Sequence, residues 1–234
     1  MVERLRQLHS DEGGFTLTEL LAAMAIGLVL LMSAFFLIDH ANSQTQEVLN
    51  RQEAIQRGRM AMERMTRALR SQVCLNDTTE PITYGGPWKV QFYSDLSDGS
   101  RNVQSRVIEY DSANQRLREQ VYYGQGVYPD LTFPAAPDET NHLLDKVDPV
   151  KVGATTQPMF RYYAFRQGGA PGDLQQLPTP LSSSDASLVV MVKISYVTLP
   201  DRLRPQEREA STLHNDVYVR LADPSRPTEG PRCL

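Results

Sequence analysis

Residues 15–38 read FTLTELLAAMAIGLVLLMSAFFLI, 24 residues with one charged side chain, Glu19. As a helix at ~1.5 Å per residue the block spans about 36 Å, enough to cross a hydrocarbon core of ~30 Å with some tilt. It is well beyond the ~7–15-residue apolar region of a cleaved secretory signal, and no A-x-A-like site follows it. The preceding stretch, MVERLRQLHSDEGG, is polar and ends in Gly13-Gly14. Arg4 and Arg6 favour a cytoplasmic N-terminus by the positive-inside rule. The expectation is a single-pass membrane protein with an extracytoplasmic globular domain. No proline interrupts residues 15–38, and Gly27 is the one helix-weakening residue among them.

Glu19 is out of place in a plain anchor. A carboxylate in hydrocarbon is expensive and marks a functional residue by default. It becomes useful if the helix later leaves lipid and packs among copies of itself, where a cation can neutralise it. A cut between Gly14 and Phe15 supplies that cation, a new α-amino group four residues before Glu19. Residues at i and i+4 share a helix face. The amine of one subunit then meets the acid of its neighbour.

The stretch Gly13-Gly14-Phe15-Thr16-Leu17-Thr18-Glu19-Leu20-Leu21 resembles the prepilin cleavage and methylation motif of type IV pilins and type II secretion pseudopilins. The resemblance implies cleavage after Gly14 by a membrane prepilin peptidase, N-methylation of Phe15 by the same enzyme, and a role for Glu19 in an assembly salt bridge. The partners it implies are that peptidase/N-methyltransferase, other pilins or pseudopilins met through the N-terminal helix, the inner-membrane assembly platform, and membrane lipid. One departure is that Asp11 and Glu12, instead of Lys or Arg, stand just before the glycines.

Residues 39–73 change character without a break signal. Ile55, Met62, Met65, Leu69 and Val73 recur at helical spacing and predict a core-facing stripe, with arginines and acids filling the other faces. Residues 15–73 together predict one helix of about 88 Å at the standard rise, with an apolar half and a half that packs on a sheet. After Cys74 come short runs of β-branched and aromatic residues at 88–94, 106–111, 116–123, 159–165, 187–199 and 216–221, with a hairpin loop at 111–115. Val189 to Val192 read as a strand in the middle of the sheet. The stretches 124–157 and 166–186 read as long loops that would carry partner-specific surface. The fold class expected is α+β, a long N-terminal helix packed on an antiparallel β-sheet domain. Its divisions are a leader at 1–14, a transmembrane or filament-core helix at 15–38, an amphipathic half at 39–75, and a β-rich domain at 76–234. The order of these pieces is similar to that of PilW- and GspJ-type minor pilins and pseudopilins, although the Arg-Asn pair that often ends the last strand there is replaced by Arg220-Leu221-Ala222.

The remaining features bound the chemistry. With 41 % hydrophobic and 22 % charged residues the chain has the composition of a folded protein. A net charge of −4 argues against a nucleic-acid partner gripped over a broad basic face. Cys74 and Cys233 are candidates for a disulfide in an oxidising exterior, closing a loop of about 160 residues and contributing at most ~5 kcal/mol, with two free thiols as the alternative. His9, His40, His142 and His214 are scattered without metal-ligand spacing. No catalytic motif is present, Ser182-Ser183-Ser184-Asp185 reads as a helix cap, and Asp138-Glu139 reads as solvated loop. Neither enzymatic activity, a metal nor a cofactor is therefore expected. Two other readings remain: a membrane-anchored extracytoplasmic enzyme or binding protein, and a DNA-uptake pseudopilin that would use Arg101, Arg106, Arg116 and Arg118.

Overall fold

The computed structural model describes residues 16–76, 79–96, 103–170, 172–200 and 211–219. The chain divides into two units, Met1–Leu49 and Asn50–Leu234. Its long helix, α1, spans Leu17–Arg70 and contributes to both. The architecture is α+β, this helix followed by antiparallel sheets.

In the first unit the helix is rich in Leu, Ala and Met, which lose little side-chain freedom in a helical turn. Every residue from Thr16 to Asn42 is exposed. The apolar side chains there lie between about half and three-quarters exposed, for example Leu17 at 74 % and Phe36 at 74 %. Ser33, within the apolar run, is satisfied inside the helix, its Oγ donating to the Val29 carbonyl at 2.8 Å. This stretch is long and apolar enough to cross a membrane.

In the second unit the helix buries Ala54, Gly58, Ala61, Met62, Met65, Thr66, Ala68 and Leu69. The expected stripe is right at Met62, Met65 and Leu69 but misses the small residues, and Ile55 and Val73 are only half-buried. Small residues let a sheet approach the helix closely. A Cβ on Gly58 would stand 2.4 Å from Thr198 Cγ2 and 2.5 Å from Leu213 Cδ1. The helix stops at Arg70 rather than at residue 73. There Gln72 forms an isolated bridge to Ser94, the Val73 amide donates to the Tyr93 carbonyl at 3.1 Å, and the Asp95 amide donates to the Ser71 carbonyl at 3.0 Å.

The first sheet holds five strands in the order β1-β2-β3-β4-β7, all antiparallel: β1 (Ile82–Gly85), β2 (Lys89–Asp95), β3 (Val103–Asp111), β4 (Arg116–Tyr123) and β7 (Glu139–Asp145). The β3–β4 turn is the expected hairpin, closed by Asp111 Oδ1 accepting from the Ala113 and Asn114 amides. The second sheet runs β12-β11-β13-β14, with β12 (Leu174–Gln176), β11 (Phe160–Phe165), β13 (Met191–Thr198) and β14 (Ser211–Tyr218). A short β8 (Val147–Asp148) also pairs with β13, which makes β13 the central strand, as its apolar run implies. Two ribbons complete the unit: β5 (Gln125–Val127) with β6 (Asp130–Thr132), and β9 (Lys151–Val152) with β10 (Thr155–Thr156).

The stretch 124–157 is therefore not a loop, because it holds β5 to β10 and β7 widens the first sheet. Its sequence ETNHLLD exposes Glu139, Thr140 and His142, so an edge strand reads as loop. The stretch 166–186 likewise holds β12 and a four-residue helix, α2 (Ser183–Ala186), and the last described strand begins at Ser211 rather than Asp216. One hydrophobic core joins these elements, with Met65 and Leu69 from α1, Phe92 and Ile108 from the first sheet, and Phe160, Ile194, Tyr196 and Val217 from the second.

Candidate functional site

Thr16 and Glu19 open α1 as a capping box. The Glu19 amide approaches Thr16 Oγ1 at 3.3 Å, while Glu19 Oε2 accepts from the Thr16 amide and from Thr16 Oγ1, each at 3.0 Å. Thr16-Leu17-Thr18-Glu19 is the T-x-x-E signature of that motif, in which threonine and acid satisfy each other's orphan amides. Thr18 Oγ1 lies 3.0 Å from Thr16 Oγ1. Thr16 is thus a functional neighbour that the reading of Glu19 as a lone acid overlooked, although the four-residue signature was there to see.

The box changes what Glu19 can do. Two hydrogen bonds to one oxygen offset part of the penalty of placing a carboxylate in an apolar medium. Glu19 Oε1 takes no hydrogen bond from the described residues, so it is open to a second donor. Leu17, Leu20 and Leu21 surround the acid on an otherwise apolar helix and are all at least half exposed. The carboxylate is consequently restrained through Oε2, while Oε1 is left for another donor. Gly14 and Phe15, on which cleavage and methylation would act, lie outside the described residues, as does His9.

The other sequence candidates fall into pairs or stay apart. Arg106 is ion-paired with Glu119, both side chains only 12 % exposed, and also donates to Gln104 Oε1. Arg116 pairs with Asp145 at 2.7 Å and Arg118 with Asp111 at 3.4 Å. Three members of the basic cluster are thereby neutralised within the sheet that holds them, and Arg101 lies outside the described residues. An acid thus stands beside each of three cations that a polyanion would contact. His40 contacts Gln44 along the helix, His142 sits on β7 and His214 on β14. Among the described residues no three His, Cys, Asp or Glu gather as a metal site. Ser182 is the N-cap of α2, accepting from the Asp185 amide at 3.1 Å. Asp138 and Glu139 accept from the Tyr123 amide and hydroxyl, both at 2.7 Å. Cys74 is not a free thiol, while Cys233 lies outside the described residues.

Two buried tyrosines tie the helix and sheets of the second unit together. Tyr196 Oη donates to the Gly58 carbonyl at 2.7 Å, and Tyr162 Oη to the Gly86 carbonyl at 3.0 Å. Burial pushes both phenols well above their ordinary range, so they remain donors.

The sequence model of the prokaryotic N-terminal methylation motif matches residues 9–35, which takes in Gly14, Phe15, the capping box and most of the apolar helix. Among curated proteins none matches the chain. The N-terminal segment is therefore a prepilin-type methylation motif followed by a long apolar helix, which supports a type IV pilin-like subunit.

Proposed function

We propose that the chain is a structural subunit, a minor pilin or pseudopilin, of a type IV pilus or a type II secretion-like filament. In this reading prepilin peptidase removes residues 1–14, the Phe15 amine is methylated, and residues 15–38 serve first as membrane anchor and then as filament core. The amphipathic half, 39–75, leads into the extracytoplasmic domain, 76–234, where a Cys74–Cys233 disulfide pins the chain end to the end of the helix. Assembly passes through the inner-membrane platform and joins the Phe15 amine of one subunit to Glu19 of the next.

The observation that carries this reading is the conjunction of the methylation motif with an apolar helix exposed all round. A water-soluble protein does not leave a helix with 14 large apolar side chains between Leu17 and Ile38 bare to solvent, so lipid or other helices must cover it. The oriented Glu19 carboxylate then gives the covering helices a polar point to recognise.

Mass spectrometry of the assembled protein provides the test. A mature chain beginning at methyl-Phe15 is expected, and working protein that still begins at Met1 overturns the reading. Glu19→Ala is expected to leave membrane insertion intact and to lower incorporation into filaments. Normal incorporation of that variant refutes the salt-bridge role.

A further inference from the structure

We propose that the second unit carries a carbohydrate-binding pocket, independent of the assembly function. A cavity of about 360 Å³ opens between the start of β2, the β3–β4 turn and the β8–β10 segment, and its lining includes Trp88, Tyr110, Ser112, Asp148, Lys151 and Thr156. That volume lies at the small end of ligand pockets, ~300–1,000 Å³.

The floor is aromatic and fixed. Trp88 and Tyr110 are half-buried, with ring centroids 6.0 Å apart and planes inclined by 51°. The Tyr110 amide donates to the Trp88 carbonyl at 2.8 Å, and both rings pack on the core beneath. Asp148 Oδ1 accepts from Tyr110 Oη at 3.2 Å and from Gln115 Nε2 at 2.8 Å, which orients the carboxylate. Its Oδ2 accepts no hydrogen bond from the described residues, and the indole N–H of Trp88, the hydroxyls of Ser112 and Thr156 and the ammonium of Lys151 donate none to them. Four polar side chains thus stand beside an aromatic floor without a bond to it that would have to break, and Ser112, Lys151 and Thr156 among them are exposed, so a ligand need only replace their water.

Each simpler ligand fails on one of these groups. A quaternary ammonium suits the rings and Asp148 but meets Lys151 at the same pocket. A phosphate meets Asp148 and only one cation. A flat base cannot sandwich between rings inclined by 51°. A purely apolar molecule strands a carboxylate and two hydroxyls without water. A neutral pyranose avoids these conflicts, with its C–H face on one of the two rings and its hydroxyls donating to Asp148 and accepting from Lys151.

Trp88 is the chain's single tryptophan and lines this pocket, so in the folded chain a ligand-dependent change in its fluorescence reports on the pocket. The full chain, held in nanodiscs free of glycolipid and maltoside detergent, is titrated with maltose, cellobiose and N,N′-diacetylchitobiose, and separately with choline and inorganic phosphate. Saturable perturbation of Trp88 by at least one disaccharide, and by neither ion, is expected. Asp148→Asn and Lys151→Ala, each with unchanged thermal melting, should weaken that binding about tenfold. The proposal is overturned if no disaccharide perturbs Trp88 at millimolar concentration, if choline or phosphate does so equally, or if neither variant weakens binding. These outcomes leave cleavage and filament incorporation untouched, so they are separable from the assembly reading.

Discussion

Replacing Gly58 by alanine sets a gain in helix propensity against a clash. In a solvent-exposed helix the change would stabilise by about 1 kcal/mol. Here the new methyl would lie 2.4 Å from Thr198 Cγ2 and 2.5 Å from Leu213 Cδ1, far inside van der Waals contact. Overpacking of this kind costs typically ~1–3 kcal/mol. The easiest relief, a small retreat of the helix from β13 and β14, stretches the 2.7 Å bond from Tyr196 Oη to the Gly58 carbonyl, whose loss is worth about 1 kcal/mol more. The expected net effect of Gly58→Ala is therefore about 1–3 kcal/mol of destabilisation, or roughly 3–10 °C in Tm for a unit of this size. Thermal melting of the full chain in nanodiscs, followed by Trp88 fluorescence, measures it. Adding Thr198→Ser removes the nearer methyl and keeps the hydroxyl that donates to the Ser211 carbonyl at 3.4 Å, so the double variant should recover about 1 kcal/mol. A Gly58→Ala protein that melts at or above the wild-type temperature refutes the close-approach argument, and so does strict additivity in the double variant.

Further outcomes follow from the other contacts. Thr16→Val removes one half of the capping box, so hydrogen exchange of the amides at 16–20 should quicken while Glu19 stays in place; unchanged protection would show the box to be idle. Burial raises the Tyr162 and Tyr196 phenols, and burial together with Asp148 raises Tyr110 to about 12. Because these folded-state values are raised, their contribution is complete below the unfolded tyrosine value of about 10 and is lost as pH climbs from there through the folded values. Stability should accordingly be flat through neutral pH and fall between about pH 10 and 12, in step with tyrosinate absorbance; flat stability across that window would contradict the burial. With the proposed Cys74–Cys233 bridge, thiol labelling of the unfolded unreduced chain should find no free thiol, and reduction should lower stability by at most ~5 kcal/mol; two labelled thiols would remove the bridge.

What could be read in the residues depended on how strongly burial imprinted them. The apolar block and the acid inside it are unmistakable because hydrocarbon tolerates no substitutes. β2, β3 and β4 are rich in aromatic and β-branched residues interspersed with polar ones, so these strands declare themselves. β7 and the two ribbons are edge or exposed elements held by backbone hydrogen bonds, which leave little trace in side-chain type. The helix stripe was half legible: its large residues announced the face, whereas Ala54, Gly58, Ala61 and Ala68 did not, because close approach selects for small size rather than hydrophobicity. At the candidate site Glu19 stood out by its charge. The threonine bonded to it leaves a fainter trace, a T-x-x-E spacing with no charge of its own.

A rod that is oily around its whole circumference can spin about its axis and slide lengthwise among similar rods at little energetic expense. Residues 20–38 make up such a rod, exposed on every side. Its large apolar side chains are exposed all round and offer neighbours little angular cue. In the proposed filament, the one carboxylate, bonded to the threonine three positions earlier, would be the mark by which stacked copies find both their height and their rotation.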